Sequence, residues 1–239
     1  MPDVGDIIKA ENARWHFSKV DSEKFSKHIE KSIPGYNEGH RLIEELSDFF
    51  IKKNSKIYDL GCSTGNLTHK IAARHADQKV KVIGVERERS LLQAARLNVK
   101  NSPEPNLEYR KEDIIELELE PANLVIAYYT LQFLSLENRK TILKRIWRCL
   151  NPGGAFLLFE KVREPNSRLQ ELTMLLYNDF KLQNGYSGDE IIAKSRSLKG
   201  VLEPLSSREN LRFLKDSGFR ETGRIFKRLC FEGFIAIKK

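Results

Sequence analysis

Residues 56–66, Lys-Ile-Tyr-Asp-Leu-Gly-Cys-Ser-Thr-Gly-Asn, decide the fold of this 239-residue chain. The run opens as a short apolar segment typical of a buried strand, and it closes with two glycines, Gly61 and Gly65. A helix-like pattern over residues 64–76 follows directly. Glycines at a strand-to-helix turn let the backbone approach a ligand without an intervening side chain. The segment therefore predicts a ligand-binding loop in an α/β sheet.

The sequence around this loop alternates between strand-like and helix-like segments. Such alternation builds a parallel sheet with helices on both faces. Short apolar runs predict strands over residues 56–60, 80–85, 107–110, 123–127 and 155–160, and a helical period predicts helices over residues 37–50, 64–76, 89–100 and 137–150. Turn-forming residues predict a loop over residues 101–106 and a turn over residues 151–154.

The last part of the chain predicts a hairpin. Residues 219–226 and 229–237 are two strand-like runs joined by little more than Lys227-Arg228. A hairpin there makes the final strand antiparallel to the others. In this the chain resembles the class I methyltransferases, whose seven-stranded Rossmann-like α/β sheet has one antiparallel member, whereas nicotinamide-binding Rossmann domains normally lack it.

Length and composition predict one domain over residues 1–239. Residues 1–53 are interpreted as an N-terminal helical cap, and residues 165–200 as a helical insertion that covers the carboxyl ends of the strands as a lid. No apolar run approaches the roughly 18 residues that a membrane span needs. The acidic first residues do not resemble a secretory signal, and three widely spaced cysteines fit no disulfide framework. We therefore expect a cytoplasmic protein without a membrane partner.

The net charge of +8 is unevenly distributed. Residues 1–120 carry 20 Lys and Arg against 21 Asp and Glu, and residues 121–239 carry 21 against 12. A basic half can serve nucleic acid or anionic metabolites. Here the charges alternate with apolar residues rather than forming runs, which favours a solvated surface. Direct nucleic-acid binding is therefore not expected, although the composition leaves it open.

Three features at the ends of successive predicted strands indicate a nucleoside with an amino-acid tail. The glycines follow Asp59 with the spacing Gly-x-x-x-Gly, whereas nicotinamide cofactors need Gly-x-Gly-x-x-Gly. Glu86 ends the second strand, where an acidic side chain accepts both ribose hydroxyls. Asp113 and Ile114 follow the third strand and would hold adenine. Together they resemble the signature of S-adenosylmethionine-dependent methyltransferases. The alternatives are a plain tight turn and, for Glu86, a surface glutamate in the charged run 86–89.

Motifs of several other chemistries are missing from the sequence. Many amino-group methyltransferases carry Asn/Asp-Pro-Pro-Tyr after the fourth strand, whereas residues 127–132 are Ala-Tyr-Tyr-Thr-Leu-Gln. The five histidines are scattered without metal-ligand spacing, so no metal site is expected. Cys62 is interpreted as a small residue packed inside the loop rather than as a nucleophile.

Several segments resemble the carboxy-S-adenosyl-L-methionine synthase family, and the resemblance extends over nearly the whole chain. The most specific ones fall in the helical insertion, where ordinary methyltransferases vary. The resembling segments are residues 15–17, 31–36, 58–63, 130–134, 150–154, 159–161, 179–181, 184–187, 190–191 and 195–198.

The resemblance implies an enzyme that carboxylates the methyl carbon of S-adenosylmethionine, with prephenate as the carboxyl source and phenylpyruvate released. In that family a partner enzyme, a tRNA carboxymethyltransferase, uses the product on a hydroxyuridine at the wobble position of tRNA. The resemblance also implies a homodimer and a bound S-adenosylmethionine or carboxy-S-adenosylmethionine. The cofactor site that it implies comprises Tyr36, Asp59, Gly61, Cys62, Ser63, Glu86, Arg87, Asp113, Ile114, Tyr128 and Arg196.

Arg196 and Tyr128 are the predicted catalytic residues. A new carboxylate beside a sulfonium needs a planar two-pronged donor, which a guanidinium supplies. Tyr36 and Tyr128 would enclose the sulfonium. Without the resemblance, Arg196 would be read as a helix-surface arginine. The family carries Asp in place of Glu86 and Asn in place of Tyr128, and the larger phenol puts the identity of the second substrate in doubt.

Two other functions remain open on the residues alone. One is a conventional methyltransferase acting on RNA or a small molecule, which the basic carboxy-terminal half supports. The other is a non-catalytic module that holds the cofactor or an RNA partner.

Overall fold

The structure, a computed structural model, describes residues 2–6, 8, 10–13, 22–101 and 106–239. Within these ranges the helices are α1 (Ser22–Ser32), α2 (Tyr36–Phe50), α3 (Asn66–Arg74), α4 (Arg89–Asn101), α5 (Leu136–Cys149), α6 (Ser167–Gln183), α7 (Gly188–Ser197) and α8 (Ser207–Asp216). The strands are β1 (Lys56–Leu60), β2 (Lys81–Val85), β3 (Leu107–Arg110), β4 (Ala122–Tyr128), β5 (Leu150–Lys161), β6 (Glu221–Arg228) and β7 (Phe231–Ile237). The resembling segment 15–17 and residues 102–105 of the predicted loop lie outside the described residues.

The seven strands form one sheet in the order β3-β2-β1-β4-β5-β7-β6. The strands β1 to β5 pair in parallel, and β7 pairs antiparallel with both β5 and β6. This topology confirms the predicted class I methyltransferase fold. The strand order reverses between β1 and β4, and ligands of open α/β sheets bind at the carboxyl ends of the strands beside such a reversal.

Two predicted turns are wrong. Residues 151–154 remain within β5, where Gly153 N donates to Lys238 O at 2.7 Å and Lys238 N donates to Gly154 O at 2.9 Å. The pairing of β5 with β4 shifts there, so the turn-forming residues make a bulge rather than a reversal. In the terminal hairpin the chain reverses at Leu229, whose φ is 51°, and not at Lys227-Arg228, which still pair with β7.

Apolar residues cover both faces of the sheet. Tyr58 and Leu60 of β1 pack in the cluster that includes α5 and α8, and Ile57 packs in the cluster that includes Ile43 of α2 and Ile71 of α3. This division follows because successive strand side chains point to opposite faces. All three β1 side chains are fully buried. The decisive strand therefore lies in the middle of a three-layer sandwich.

The helices α6 and α7 occupy the predicted insertion. In α7 a capping box starts the helix, because Ser187 Oγ accepts from Glu190 N at 3.2 Å while Ser187 N donates to Glu190 Oε2 at 2.7 Å. The Tyr177 hydroxyl of α6 donates to Ser32 O at 2.9 Å. The insertion is thereby fastened to the end of α1. None of the helices in the described ranges is long and apolar enough to cross a bilayer.

Candidate functional site

A cavity of about 190 Å³ opens at the carboxyl ends of β1, β2 and β4. Most of the predicted site residues lie on its wall, and they come from five different parts of the chain. These wall residues are Tyr36, Gly61, Ser63, Glu86, Arg87, Asp113, Ile114 and Tyr128. The sequence thus predicted which elements would meet at this edge of the sheet.

The glycine loop requires Gly61 for two reasons. Its φ is +76°, a left-handed conformation that side chains disfavour. A Cβ placed there would lie 2.4 Å from Thr130 Cγ2. The loop is held to the second strand, because the backbone nitrogens of Gly61 and Cys62 donate to Val85 O at 2.8 and 3.0 Å. The backbone therefore forms a narrow cradle that a side chain would fill, which suits a closely approaching ligand.

Two predicted site residues, Asp59 and Cys62, lie behind the cradle and are absent from the described cavity wall. Asp59 Oδ2 accepts a hydrogen bond from Thr68 Oγ1 at 2.6 Å, and burial raises the pKa of this carboxyl to about 6. Burial also raises the pKa of the Cys62 thiol well above its ordinary value. Both residues support the loop from inside, and the Cys62 thiol is not an activated nucleophile.

Glu86 presents a buried carboxylate to the cavity. Its Oε2 accepts from Ser63 N at 3.0 Å, and its Oε1 accepts from Glu88 N at 2.9 Å. Burial raises the pKa of Glu86, and these backbone hydrogen bonds oppose that rise. Each carboxylate oxygen retains a second lone pair, so Glu86 can still accept hydrogen bonds from two hydroxyl groups.

Arg87 and Asp113 mark the open end of the cavity. Arg87 Nη1 lies 3.4 Å from Asp113 Oδ2, and Asp113 Oδ1 accepts from Ile115 N at 3.0 Å. Ile114, the next residue, is buried and also lies on the cavity wall. This combination of a fixed carboxylate with an apolar neighbour can hold a flat ring that carries an amino group.

Aromatic side chains form part of the cavity wall. The Tyr128 hydroxyl donates to Tyr36 O at 2.6 Å, and the Tyr128 ring centroid lies 5.2 Å from that of Tyr36 and 4.7 Å from that of His40. Burial raises the pKa of Tyr128, so this phenol stays neutral at physiological pH. A Cβ on Gly39 would lie 2.3 Å from the Tyr128 hydroxyl, so this glycine makes room for the large side chain.

The structure corrects the predicted position of Arg196. Its exposed side chain lies outside the cavity, in a separate surface depression. Residues on an α-helix are about 100° apart, so two residues along α7 point in nearly opposite directions. Lys194 therefore faces the cavity where Arg196 was expected. The other residues of the depression are Asn12, Ala13, Ser195 and Lys199.

Sequence reasoning missed other wall residues as well, among them Tyr129, Lys161, Tyr177 and Phe231. Tyr129 has a φ of +58°, a conformation that is rare for a bulky side chain and is found preferentially at functional sites. The neighbouring sequence contains no pattern that predicts a positive φ at Tyr129. Of these four residues, only Lys161 could have been found from the sequence, because it ends the segment 159–161 that resembles the family.

Comparison with known sequences identifies the family. A model described as a methyltransferase domain matches residues 57–154. The carboxy-S-adenosyl-L-methionine synthase of Staphylococcus epidermidis is 35% identical over 226 residues, covering 94% of this chain and 97% of that protein. The chain belongs to the carboxy-S-adenosyl-L-methionine synthase family. The synthase of Sulfurimonas denitrificans is 34% identical over 232 residues, which cover 97% of this chain and 98% of that protein.

Solved structures agree on the fold. An O-methyltransferase family protein from Burkholderia thailandensis superposes with a TM-score of 0.66 at 16% identity, covering 91% of this chain and 59% of that one. An S-adenosylmethionine-dependent methyltransferase from Aquifex aeolicus superposes with a TM-score of 0.60 at 18% identity, covering 92% of this chain and 99% of that one.

Membership confirms the family resemblance read from the sequence and the prediction of an S-adenosylmethionine-dependent enzyme. In the part of the chain that the structure describes, no group of three His, Cys, Asp or Glu side chains is arranged to hold a metal ion.

Proposed function

We propose that this enzyme converts S-adenosylmethionine into carboxy-S-adenosylmethionine, with prephenate as the carboxyl donor. The observation that carries the proposal is a cavity whose wall includes both the nucleoside-type residues and the basic side chains of Lys161 and Lys194. An ordinary methyl transfer needs no cation beyond the sulfonium, whereas a carboxylation brings carboxylates there. The names of relatives that match nearly the whole chain support the formation of carboxy-S-adenosylmethionine.

S-adenosylmethionine is a substrate in this proposal, and its parts match the wall residues in order. Glu86 would accept hydrogen bonds from the ribose hydroxyls, while Asp113 and Ile114 would hold the adenine ring. The cradle at Gly61 would receive the methionine portion. Tyr128 would lie beside the sulfonium as an uncharged side chain. Its hydroxyl would keep the hydrogen bond that it donates to Tyr36 O.

The atoms of the proposed reaction balance without a further reactant. Prephenate breaks the bond to its ring carboxyl group and loses its ring hydroxyl as hydroxide, which gives phenylpyruvate and carbon dioxide. The hydroxide takes a proton from the sulfonium methyl group and becomes water. The electron pair left on the methyl carbon then forms the new bond to carbon dioxide. The products are carboxy-S-adenosylmethionine, phenylpyruvate and water.

This sequence needs a site that keeps bulk water away from the carbanionic methyl carbon. The insertion provides the cover, since Tyr177 of α6 and Lys194 of α7 lie on the cavity wall together with Leu198 and Leu202. We therefore assign the lid a protective role rather than a role in binding RNA.

A homodimer is part of the proposal. Three leucines of α6, Leu172, Leu175 and Leu176, are 51%, 62% and 55% exposed. Their spacing of three and four residues places them on one helix face, and exposed apolar patches mark association surfaces. The link to a tRNA carboxymethyltransferase and a cytoplasmic location complete the proposal. Both would follow from the product that the enzyme supplies.

The test is an incubation of the purified protein with S-adenosylmethionine and prephenate, followed by mass spectrometry of the nucleoside. We expect a product heavier by one carbon dioxide, together with phenylpyruvate. An unchanged nucleoside mass refutes the proposal. Formation of S-adenosylhomocysteine with an added RNA or small molecule favours conventional methyl transfer instead.

A further inference from the structure

One end of the cavity consists of cations around aromatic rings. Lys161, at the end of β5, lies on the cavity wall beside Tyr177 and Phe231. Its ammonium nitrogen is 4.8 Å from the Tyr177 ring centroid and 6.0 Å from the Phe231 ring centroid. The ammonium nitrogen of Lys181, a buried residue of α6, is 4.3 Å from the same Tyr177 ring. The ammonium groups of Lys161 and Lys181 therefore both lie close to the Tyr177 ring.

Lys194 adds a third basic side chain from the lid, and burial together with the charges of Lys181 and Lys161 lowers its pKa to about 7. Its ammonium group donates to Ser32 Oγ at 2.9 Å and contacts His28 Nε2. These contacts hold the nitrogen at the cavity wall, on the side of α7 that Arg196 does not reach. Basic side chains therefore approach this end of the cavity from β5, α6 and α7.

The neighbouring acidic side chains either pair with other cations or are neutral. Asp6 pairs with Lys31 at 2.8 Å. Glu160 Oε1 accepts from Gln132 N at 3.1 Å, and burial raises the pKa of this carboxyl to about 8, so it is largely protonated at neutral pH. Glu232 pairs with Arg224 at 3.1 Å and with Lys227 at 3.0 Å. Among the described residues, the ammonium groups of Lys161 and Lys181 have no carboxylate partner and no hydrogen bond.

This arrangement costs the free protein stability. Burial lowers the pKa of Lys161, and burial together with the charge of Lys161 lowers the pKa of Lys181 to about 8. Contact with an aromatic face offsets only part of the cost of removing an ammonium group from water. Buried like charges without counter-ions are typical of sites that await an anionic ligand. A purely structural pair of lysines would be better replaced by apolar side chains.

We propose that this end of the cavity is a dicarboxylate subsite, in which Lys161 binds a carboxylate directly. Lys181 strengthens the positive field from behind Tyr177, and the Tyr177 and Phe231 rings pack against the apolar ring of the ligand. The inference rests on the proposed function and deepens it, because prephenate carries one carboxylate on its six-membered ring and a second on the pyruvyl side chain of the same ring carbon. It also places the donor opposite the nucleoside end of the same cavity.

Binding of prephenate to protein saturated with S-adenosylhomocysteine tests the subsite without turnover, because that nucleoside lacks the methyl group. The variants are Lys161→Met and Lys181→Met, which keep the length of the side chain and remove the charge. Lys144→Met, an exposed lysine of α5, is the matched control. Calorimetry should show prephenate binding weakened at least about tenfold in Lys161→Met and Lys181→Met and unchanged in the control. The affinity for S-adenosylhomocysteine should remain within about twofold of wild type in all three.

A second measurement separates a binding role from a structural one. If the two lysines bind a ligand, removing their charges should raise the thermal midpoint of the ligand-free protein, because the repulsion between buried charges is relieved. If the lysines stabilise the fold instead, the midpoint should fall. The inference is overturned if Lys161→Met binds prephenate as wild type does, or if the wild-type protein does not bind prephenate. Prephenate binding that depends on Lys161, without formation of a carboxylated nucleoside, would uphold the subsite and refute the proposed reaction.

Discussion

The replacement Gly61→Ala tests the cradle most directly. Two separate costs follow from the structure. A non-glycine residue held at a φ of +76° costs roughly 1–2 kcal/mol. The added Cβ would also lie 2.4 Å from Thr130 Cγ2 and 2.5 Å from Thr130 Oγ1, and such overpacking costs about 1–3 kcal/mol. We expect the free energy of unfolding to fall by roughly 2–5 kcal/mol and binding of S-adenosylmethionine to be lost or strongly weakened.

Two further variants separate these costs. Gly153→Ala has nearly the same backbone conformation, with a φ of +79°, but its Cβ would meet nothing within 4 Å. It should lose only the backbone contribution of about 1–2 kcal/mol and should bind the nucleoside normally. Adding Thr130→Ala to Gly61→Ala should restore part of the stability, because the methyl and hydroxyl groups that the new Cβ meets are gone.

Urea unfolding gives the stabilities, and isothermal calorimetry gives the affinity for S-adenosylmethionine. The reasoning would be refuted if Gly61→Ala were no less stable than Gly153→Ala and still bound the nucleoside as tightly as wild type. If Gly61→Ala and the double variant Gly61→Ala/Thr130→Ala were equally stable, only the proposed clash with Thr130 would be refuted.

Three other predictions concern the wall, the lysines and α6. Tyr128→Phe removes the donor to Tyr36 O and should lower the free energy of unfolding by about 1–3 kcal/mol in urea, a loss that unchanged stability would contradict. Because the folded pKa of Lys181, about 8, lies below its unfolded value of 10.5, the folded state binds fewer protons between those values. The contribution of Lys181 to stability should therefore rise with pH across that interval, so the urea midpoint of wild type relative to that of Lys181→Met should increase from about pH 8 to pH 10.5. Leu172→Glu combined with Leu176→Glu should give a monomer by light scattering with the fold intact by circular dichroism; a wild-type monomer would contradict the proposed dimer.

The features that could be predicted from the sequence are those with a local cause. The β1 pattern sets which side chains enter each face, because strand periodicity belongs to the backbone itself. The need for glycine at Gly61 likewise arises from backbone conformation and close approach at a strand-to-helix turn. The carboxyl ends of parallel strands meet at one edge, so the sequence suffices to place Glu86 and Asp113 at the same edge of the sheet.

Failed predictions involve competition between local signals and distant contacts. Residues 151–154 carry strong turn chemistry, yet hydrogen bonds to Lys238, at the far end of the chain, keep them in the sheet as a bulge. The position of Arg196 depended on the rotation of α7 about its axis, which the spacing of residues along that helix does not reveal. That rotation is set by how α7 packs, and the packing turns Lys194 inward instead.

By itself, the amino-acid sequence determined the sheet, the nucleotide-type loop and the family of this protein, because each rests on short-range patterns of backbone geometry and residue type. Only the tertiary structure decided which charges enter the cavity. Lys161, Lys181 and Lys194 lie on a strand and two helices with no common periodicity. They come together because packing of the lid onto the sheet brings distant parts of the chain around Tyr177, and that proximity is a property of the folded chain alone.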